Sequence, residues 1–277
     1  MMGYNSEDRE GGKRCNFMIA HRHCKASVGP LLLLGLCLLP GMESWADGEA
    51  EFLAGTSKAC PKCSLQQATL KRRDLSGADL SGANLAGAVF HRARLAQAKF
   101  TDADLTEANL NKTDLKYASF VRAKLEGVML YEADLGLADL TDAILAGAKM
   151  GKARLVRAIL DRAQMREAIL TGARLDDASL RGARLPGANL VGASLRRANL
   201  EGADLNNAGL VDAVLANANL QGANLSESDL LGADLTGANL AGADLSEARL
   251  TRAVLTGVVL DGAKLTGALM PDGRVHD

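Results

Sequence analysis

The sequence predicts an all-β solenoid, and three regularities carry this fold class. From Leu70 to Met270 every fifth residue is Leu, Phe or Met, a small residue stands two positions earlier, and glycine is frequent two positions later. In an α-helix such leucines would circle the axis, and in a flat strand alternate leucines would reach opposite faces. Each five-residue unit is therefore predicted to form one straight side of a coil, with its small residue and its leucine inward and a corner after them.

The first 46 residues have the features of a cleavable export signal. Basic residues precede an apolar run at 28–42, and the sequence Ser-Trp-Ala at 44–46 is a small-x-small cleavage motif before Asp47. The run contains two prolines and is shorter than the roughly 20 residues of a membrane-spanning helix. The segment predicts a periplasmic or secreted protein with no stable membrane span after cleavage. A true start at Met18 and an uncleaved membrane tether are the alternatives.

Residues 47–64 are predicted to be a linker and N-terminal cap that contains a C-x-x-C motif at Cys60 and Cys63. These are the only two cysteines that remain after cleavage, and an oxidising compartment favours their pairing. Counting back in fives places Cys60 at a leucine position and Cys63 at a small-residue position, so both are predicted to face inward. A structural disulfide is the preferred interpretation. A redox-active motif is the alternative, although no βαβ pattern surrounds it.

The repeat spans residues 65–270 and supplies the predicted core. Of the 41 core positions from Leu70 onward, 35 hold Leu, so one residue type dominates the interior. Representative buried positions are predicted at Leu80, Leu85, Leu105, Leu175, Leu205 and Leu240. The small-residue position holds Ala in 36 of the 41 units, and the exceptions are Arg73, Thr113, Val128, Ser228 and Val258.

Glycine and proline mark the corners and the end of the repeat. Seventeen of the 29 glycines occupy the second position after a core residue, where a turn often needs a residue without a Cβ atom. Pro186 occupies a first corner position, and Pro271 directly follows Met270. Residues 271–277 are therefore predicted to be a tail outside the repeat.

The units resemble the A(D/N)Lxx motif of the pentapeptide-repeat family. The motif is nearly pure in Ala-Asp-Leu-Ser-Gly at 78–82, Ala-Asn-Leu at 83–85 and Ala-Asn-Leu-Ala-Gly at 238–242. The resemblance covers about 200 of the 277 residues. It implies a right-handed quadrilateral β-helix with four units and 20 residues per coil, and about ten coils stacked roughly 4.8 Å apart.

The charges support stacking at a separation of 20 residues, because like charges on neighbouring coils repel. Between residues 71 and 270, charged pairs at this separation are opposite in sign 18 times and alike five times. A separation of 15 shows a weaker preference of the same kind, so diagonal pairing stays open. Alternating ladders are predicted at Asp102-Arg122-Asp142-Arg162, Asp161-Arg181-Glu201 and Arg157-Asp177-Arg197.

The composition argues against several functional classes. The net charge is −1, with 32 basic and 33 acidic residues, so the chain is not a generally basic nucleic-acid binder. The repeat contains one histidine, His91, which leaves little material for a histidine-based catalytic triad or metal centre. We predict no enzymatic activity, no metal site and no cofactor.

Two sets of apolar residues are predicted to contact a protein partner. The members of the first set share one corner position in successive coils and form an outward stripe. An equally good explanation of this stripe is that its side chains stabilise the stacking of the coils. Its members are Val191, Val211 and Leu231. The second set is also predicted to point outward and lies near the C-terminal end, where the resemblance implies a homodimer interface, as in some relatives. Its members are Val254, Val258 and Val259.

The preferred functional hypothesis is a non-enzymatic structural or protein-binding scaffold of the bacterial envelope, with an unidentified protein partner. Charge is zoned, with eleven basic and four acidic residues at 149–200 and one basic and eight acidic at 201–249. The basic section has no aromatic residue to stack on bases, so specific nucleic-acid binding is not predicted. The alternatives are a DNA-mimic protector of DNA gyrase, as in some relatives, and thiol-disulfide exchange through Cys60 and Cys63.

Overall fold

The structure, a computed structural model, describes residues 44–277. One helix, α1, spans Ser44–Ala54, and the chain after it consists of short sides joined by isolated β-bridges and turns. The predicted export signal lies outside the described residues, except for its last three positions. Those three residues belong to the first turn of α1, so the helix extends across the predicted cleavage point.

The coil length is set by the register of the bridges. Every parallel bridge joins residue i to residue i+20, from Ala59 with Asp79 to Arg249 with Leu269. The coil therefore contains 20 residues, and charged side chains 20 apart are direct neighbours. Because the bridges begin at Ala59, residues 59–64 form part of the first coil, ahead of the predicted repeat start at residue 65.

Each coil has four corners, and each corner is a β-turn. The N–H group of the small residue donates to the carbonyl of the core residue three positions earlier, as from Ala83 to Leu80 at 3.1 Å. The second corner position has a left-handed φ throughout, as in a type II turn. Glycine is placed as predicted, yet many corners hold other residues, such as Arg92 with φ 59° and Glu107 with φ 56°. Backbone hydrogen bonds to the neighbouring coil hold these residues in a conformation that L-residues otherwise disfavour.

The interior of the coils is apolar and closely packed. All six representative leucines are at most 1% exposed, as are the alanines that precede them. Phe100 and Phe120 stack face to face one coil apart, with centroids 4.8 Å apart, and Phe90 meets Phe100 edge to face. Two polar exceptions in the small-residue row satisfy their hydroxyl groups on backbone carbonyls. Thr113 Oγ1 donates to Phe90, and Ser228 Oγ donates to Leu225.

Helix α1 caps the N-terminal end of the coils. Phe52 is fully buried, and Gly55 ends the helix with φ 83° in a Schellman arrangement. The helix also explains why Arg73 interrupts the alanine row. The Arg73 guanidinium donates hydrogen bonds to the carbonyls of Phe52 at 2.9 Å and Leu53 at 3.1 Å. A cation at these carbonyls also complements the negative end of the helix dipole.

The C-terminal end is covered only in part. The inward side chains of the last coil are half-buried, in contrast to the closed coils before it; they are Leu255, Val258, Leu260, Leu265 and Met270. The prediction that Val258 points outward is wrong, because this residue occupies the small-residue row and packs on the core. The predicted tail turns back, and Val275 forms an antiparallel bridge with Leu269.

Candidate functional site

Cys60 and Cys63 form a disulfide at the base of the N-terminal cap, with their Cα atoms 5.4 Å apart. The two residues are 1% and 4% exposed, and Cys60 Sγ lies 3.5 Å from the carbonyl oxygen of Gly48 in α1. A thiol substrate needs access to one of the sulfur atoms, which α1 and the first coil restrict. The geometry favours a structural disulfide over a redox-active one.

The predicted stripe is less exposed than an open contact surface would be. Val191, Val211 and Leu231 follow one another at the same corner of consecutive coils, and all three are half-buried. The N–H group of Val191 is held by Asn189, and that of Leu231 by Asp229, each at 3.1 Å. Much of the apolar surface of this stripe is therefore used within the β-helix itself.

The remaining predicted contact residues lie beside the open C-terminal end. Val254 is 44% exposed and Val259 is 43% exposed, and both occupy the middle of a side of the last complete coil. Together with the half-buried interior of that coil, they place apolar side chains on two adjoining surfaces.

A further apolar surface was missed by the sequence analysis. Tyr117 and Leu137 occupy the second position of one corner on consecutive coils and are 56% and 43% exposed. They border a surface cavity of about 380 Å³, here called the Tyr117 groove. Its principal residues are Lys116, Tyr117, Gly136, Leu137, Arg154 and Arg157. Comparing exposed apolar residues at a spacing of 20 would have revealed the pair.

Gly136 leaves space at the floor of the groove. Its φ lies outside the left-handed region, so the backbone does not require glycine at this position. A Cβ atom there would meet Asp134 Oδ1 at 3.2 Å and Lys116 Cγ at 3.9 Å. The missing side chain therefore opens the surface between Lys116 and Val156, which occupy the same corner position on the two adjacent coils.

Positive charge exceeds negative charge around the groove. The Asp134 carboxylate is shared between Lys116 at 3.4 Å and Arg154 at 3.7 Å. Asp177 accepts two hydrogen bonds from Arg197, at 2.7 and 2.8 Å, which hold the pKa of its carboxyl below the ordinary value. Arg157 forms no ion pair within the part of the chain that the structure describes. The groove therefore combines apolar walls with an excess of positive charge.

Each predicted charge ladder contains separate ion pairs and is not a continuous chain of contacts. In the ladder of Arg157, Asp177 and Arg197, only the last two are paired within the described residues. Arg122 binds Asp102 and Arg162 binds Asp142 through two hydrogen bonds each, at 2.7–2.8 Å. Arg181 lies 3.3 Å from Glu201. These side chains are exposed, so each pair is expected to contribute little to stability.

We expect acid to destabilise the fold. Hydrogen bonds from Arg122 and Arg162 hold the pKa values of Asp102 and Asp142 below the ordinary value for aspartate. A carboxyl with a depressed folded-state pKa stabilises the fold above its unfolded pKa, and that contribution is lost as pH falls through the folded pKa. Scanning calorimetry should show a constant melting temperature from about pH 7 to pH 5 and a decrease below about pH 4.

The doubly substituted variant Asp102→Asn/Asp142→Asn is the control for this pH dependence. It removes two of the depressed carboxyls without a change in the core, so its melting temperature should fall less steeply in acid. A melting temperature that rises below about pH 4 in the unaltered chain would contradict the assignment.

Residues 44–277 contain no group of three or more His, Cys, Asp or Glu side chains that could hold a metal ion. Within the same residues, no helix combines the length and the apolar character needed to cross a membrane.

A four-sided coil with an apolar interior and an ordered exterior defines a β-helical repeat solenoid, a class in which each repeat contacts mainly its neighbours. The family model for pentapeptide repeats matches eight copies between residues 63 and 270. The chain belongs to the pentapeptide-repeat family. This membership implies the right-handed quadrilateral β-helix, and members of the family are generally non-enzymatic structural or binding proteins.

Several solved structures are similar to this chain. HetL, a pentapeptide repeat protein involved in heterocyst differentiation regulation from the cyanobacterium Nostoc sp. strain PCC 7120, is 36% identical over 82% of this chain and 97% of its own, with a TM-score of 0.38. A pentapeptide repeat protein from the Arabidopsis thaliana thylakoid lumen is 30% identical over 36% of this chain and 68% of its own, with a TM-score of 0.28.

QnrB1, a plasmid-mediated fluoroquinolone resistance protein, is 19% identical in its full-length form, and the match covers 74% of this chain and 92% of QnrB1 with a TM-score of 0.23. Comparison with curated protein sequences gives no match.

Proposed function

We propose that the protein is a non-enzymatic scaffold that binds a partner protein in the bacterial envelope. The observation that carries the proposal is the constant 20-residue register, which aligns each outward side chain with those 20 residues before and after it. Rigid columns of this kind lower the entropy that binding costs. Export is part of the proposal and rests on the pattern of the N-terminal segment.

Photo-crosslinking in cells tests this proposal. A photoreactive phenylalanine analogue is placed at Tyr117, Tyr131 or Ile169, three exposed positions on different columns. We expect the tagged protein in the periplasmic fraction, with a light-dependent adduct to one envelope protein from at least one column. Leu53, which is exposed on α1 away from the columns, is the matched control position and should give no such adduct.

Three results would contradict the proposal. The first is the absence of an adduct from every column position. The second is a cytoplasmic location together with inhibition of DNA gyrase by the purified protein, which would support the DNA-mimic alternative. The third is catalysis of thiol-disulfide exchange by the purified protein, which would assign an enzymatic role to Cys60 and Cys63.

The open C-terminal end supports a homodimer as the assembled form of this scaffold. In closed coils a core-residue N–H group donates to the next coil, as from Leu250 to Leu269 at 2.7 Å. In the last coil the N–H groups of Leu255, Leu260 and Leu265 have no backbone acceptor within the described residues. Apolar side chains beside unpaired backbone groups are a surface that a second copy can cover.

Size-exclusion chromatography with light scattering tests the dimer. The unaltered protein should have twice the chain mass, and Leu260→Asp should be monomeric because its charge is tolerated at an open end and opposed inside an interface. Ile169→Asp is the control, since Ile169 is 42% exposed on a different part of the β-helix. A monomeric unaltered protein, or a Leu260→Asp variant that stays dimeric, would exclude this end as the interface.

A further inference from the structure

We infer that the Tyr117 groove binds an extended peptide segment of a partner protein in which an aliphatic or aromatic side chain lies next to acidic ones. The inference rests on the proposed scaffold function and adds the site and the chemistry of the partner. The apolar residue of the segment enters the space above Gly136 between Tyr117 and Leu137. The acidic residues face Arg154 and Arg157.

The apolar part of the groove consists of two large, exposed side chains at one corner. Tyr117 and Leu137 are 56% and 43% exposed and stand one above the other. Val156 continues the apolar surface from the first position of the same corner on the next coil. Rigid apolar side chains around a depression provide the anchor pocket that peptide ligands use for a buried residue.

The charges select an acidic segment over a basic one. Three cations line the groove, namely Lys116, Arg154 and Arg157, together with two carboxylates, Asp134 and Asp177. Asp134 is already shared by two of the cations, and Asp177 is engaged by Arg197 through two hydrogen bonds. A ligand carboxylate at Arg154 or Arg157 gains a charge-assisted hydrogen bond, whereas a basic ligand meets an excess of positive charge.

Gly136→Leu is the substitution that fills the groove. The change is compatible with the local backbone, because Leu231 occupies an equivalent corner position elsewhere. In both places an aspartate two residues earlier accepts the N–H group at 3.1 Å. Arg157→Glu is the second variant, since this exposed arginine forms no ion pair within the described residues and its charge can be reversed without breaking one.

The test is selection of binders from a phage-displayed library of random heptapeptides on the unaltered protein. We expect enrichment of peptides that combine acidic residues with Leu, Phe or Ile. Synthetic versions, measured by fluorescence anisotropy, should bind at least tenfold more weakly to Gly136→Leu and to Arg157→Glu. Ala96→Leu, at the same corner but two coils from Gly136, is the matched control and should bind as the unaltered protein does.

Several outcomes would overturn the inference. They are a library without enriched peptides, binding that Gly136→Leu leaves unchanged, and groove-dependent peptides that are basic. Self-association that Gly136→Leu abolishes would assign the groove to a second copy instead. Circular dichroism checks that each variant is folded. If Gly136→Leu is unstable, the binding measured with Arg157→Glu tests the inference. If the crosslinking experiment gives an envelope adduct but any of these results is obtained, the scaffold function is supported and only the groove inference is wrong.

Discussion

Replacing Leu175 by Asp is expected to unfold the coils around that residue. Leu175 is 0% exposed, and its N–H group donates to the carbonyl of Ser194 on the next coil at 2.6 Å. An aspartate in this position has no cation inside the coil to pair with, so its charge would be desolvated without compensation. The expected loss is at least about 3–5 kcal/mol of unfolding free energy, which chemical denaturation followed by circular dichroism would measure.

The loss should be centred on the altered coil because each repeat of a solenoid contacts mainly its neighbours. Amide hydrogen exchange is expected to speed up first in the coils directly adjoining Leu175. The matched control is Arg181→Ala, which removes an exposed pair with Glu201 and should change stability by less than about 1 kcal/mol. A larger effect from Arg181→Ala than from Leu175→Asp would show that the inward and outward rows are exchanged.

Replacing Phe52 by Ala is expected to detach α1 from the first coil. Phe52 is fully buried, and the Arg73 guanidinium lies 5.8 Å from the centroid of its ring. Truncation of a buried phenylalanine typically costs about 3–5 kcal/mol. Since α1 covers one end of the β-helix, the loss should fall on the cap, and the coils beyond should remain folded.

Reduction of the disulfide provides the measurement for the cap. Cys60 and Cys63 are buried beneath α1, so a water-soluble phosphine reaches them mainly when the cap opens. Phe52→Ala should raise the rate of reduction by roughly 100-fold, as an opening free energy lower by about 3 kcal/mol implies. Leu53→Ala, on the exposed side of the same helix, is the control and should leave the rate unchanged. Equal rates in all three proteins would mean that α1 does not protect the disulfide.

The interior was predictable because its signal recurs in every unit. An inward leucine and an inward alanine follow from the five-residue period, and the positions of the corners follow from the glycines. The reason for Arg73 in the alanine row could not be predicted in this way. Its interruption of the alanine row was visible in the sequence, but its cause is a helix carbonyl about 20 residues earlier in the chain.

The candidate surface was harder to predict than the core. Single apolar residues on an exterior carry no local pattern, and Tyr117 and Leu137 become a pair only when coils are stacked. Val258 is a different case. The five-residue period places it in the inward row, but it was grouped with its neighbours Val254 and Val259 and predicted to point outward. The predicted stripe from Val191 to Leu231 was placed on the correct column, but its exposure depends on how tightly neighbouring coils pack.

The sequence by itself determined the five-residue length of each side of the coil, the apolar residues that line the interior and the places where the chain turns. These properties depend on residues within five positions of one another, so the hydrophobic effect and local backbone preferences act on them directly. The tertiary structure alone decided that α1 covers the N-terminal end, that the C-terminal end is only partly covered, and which outward side chains form a groove. The groove and the contacts of Arg73 with α1 depend on residues about 20 or more positions apart, and the closed hydrogen-bonded register of the coils brings such residues together.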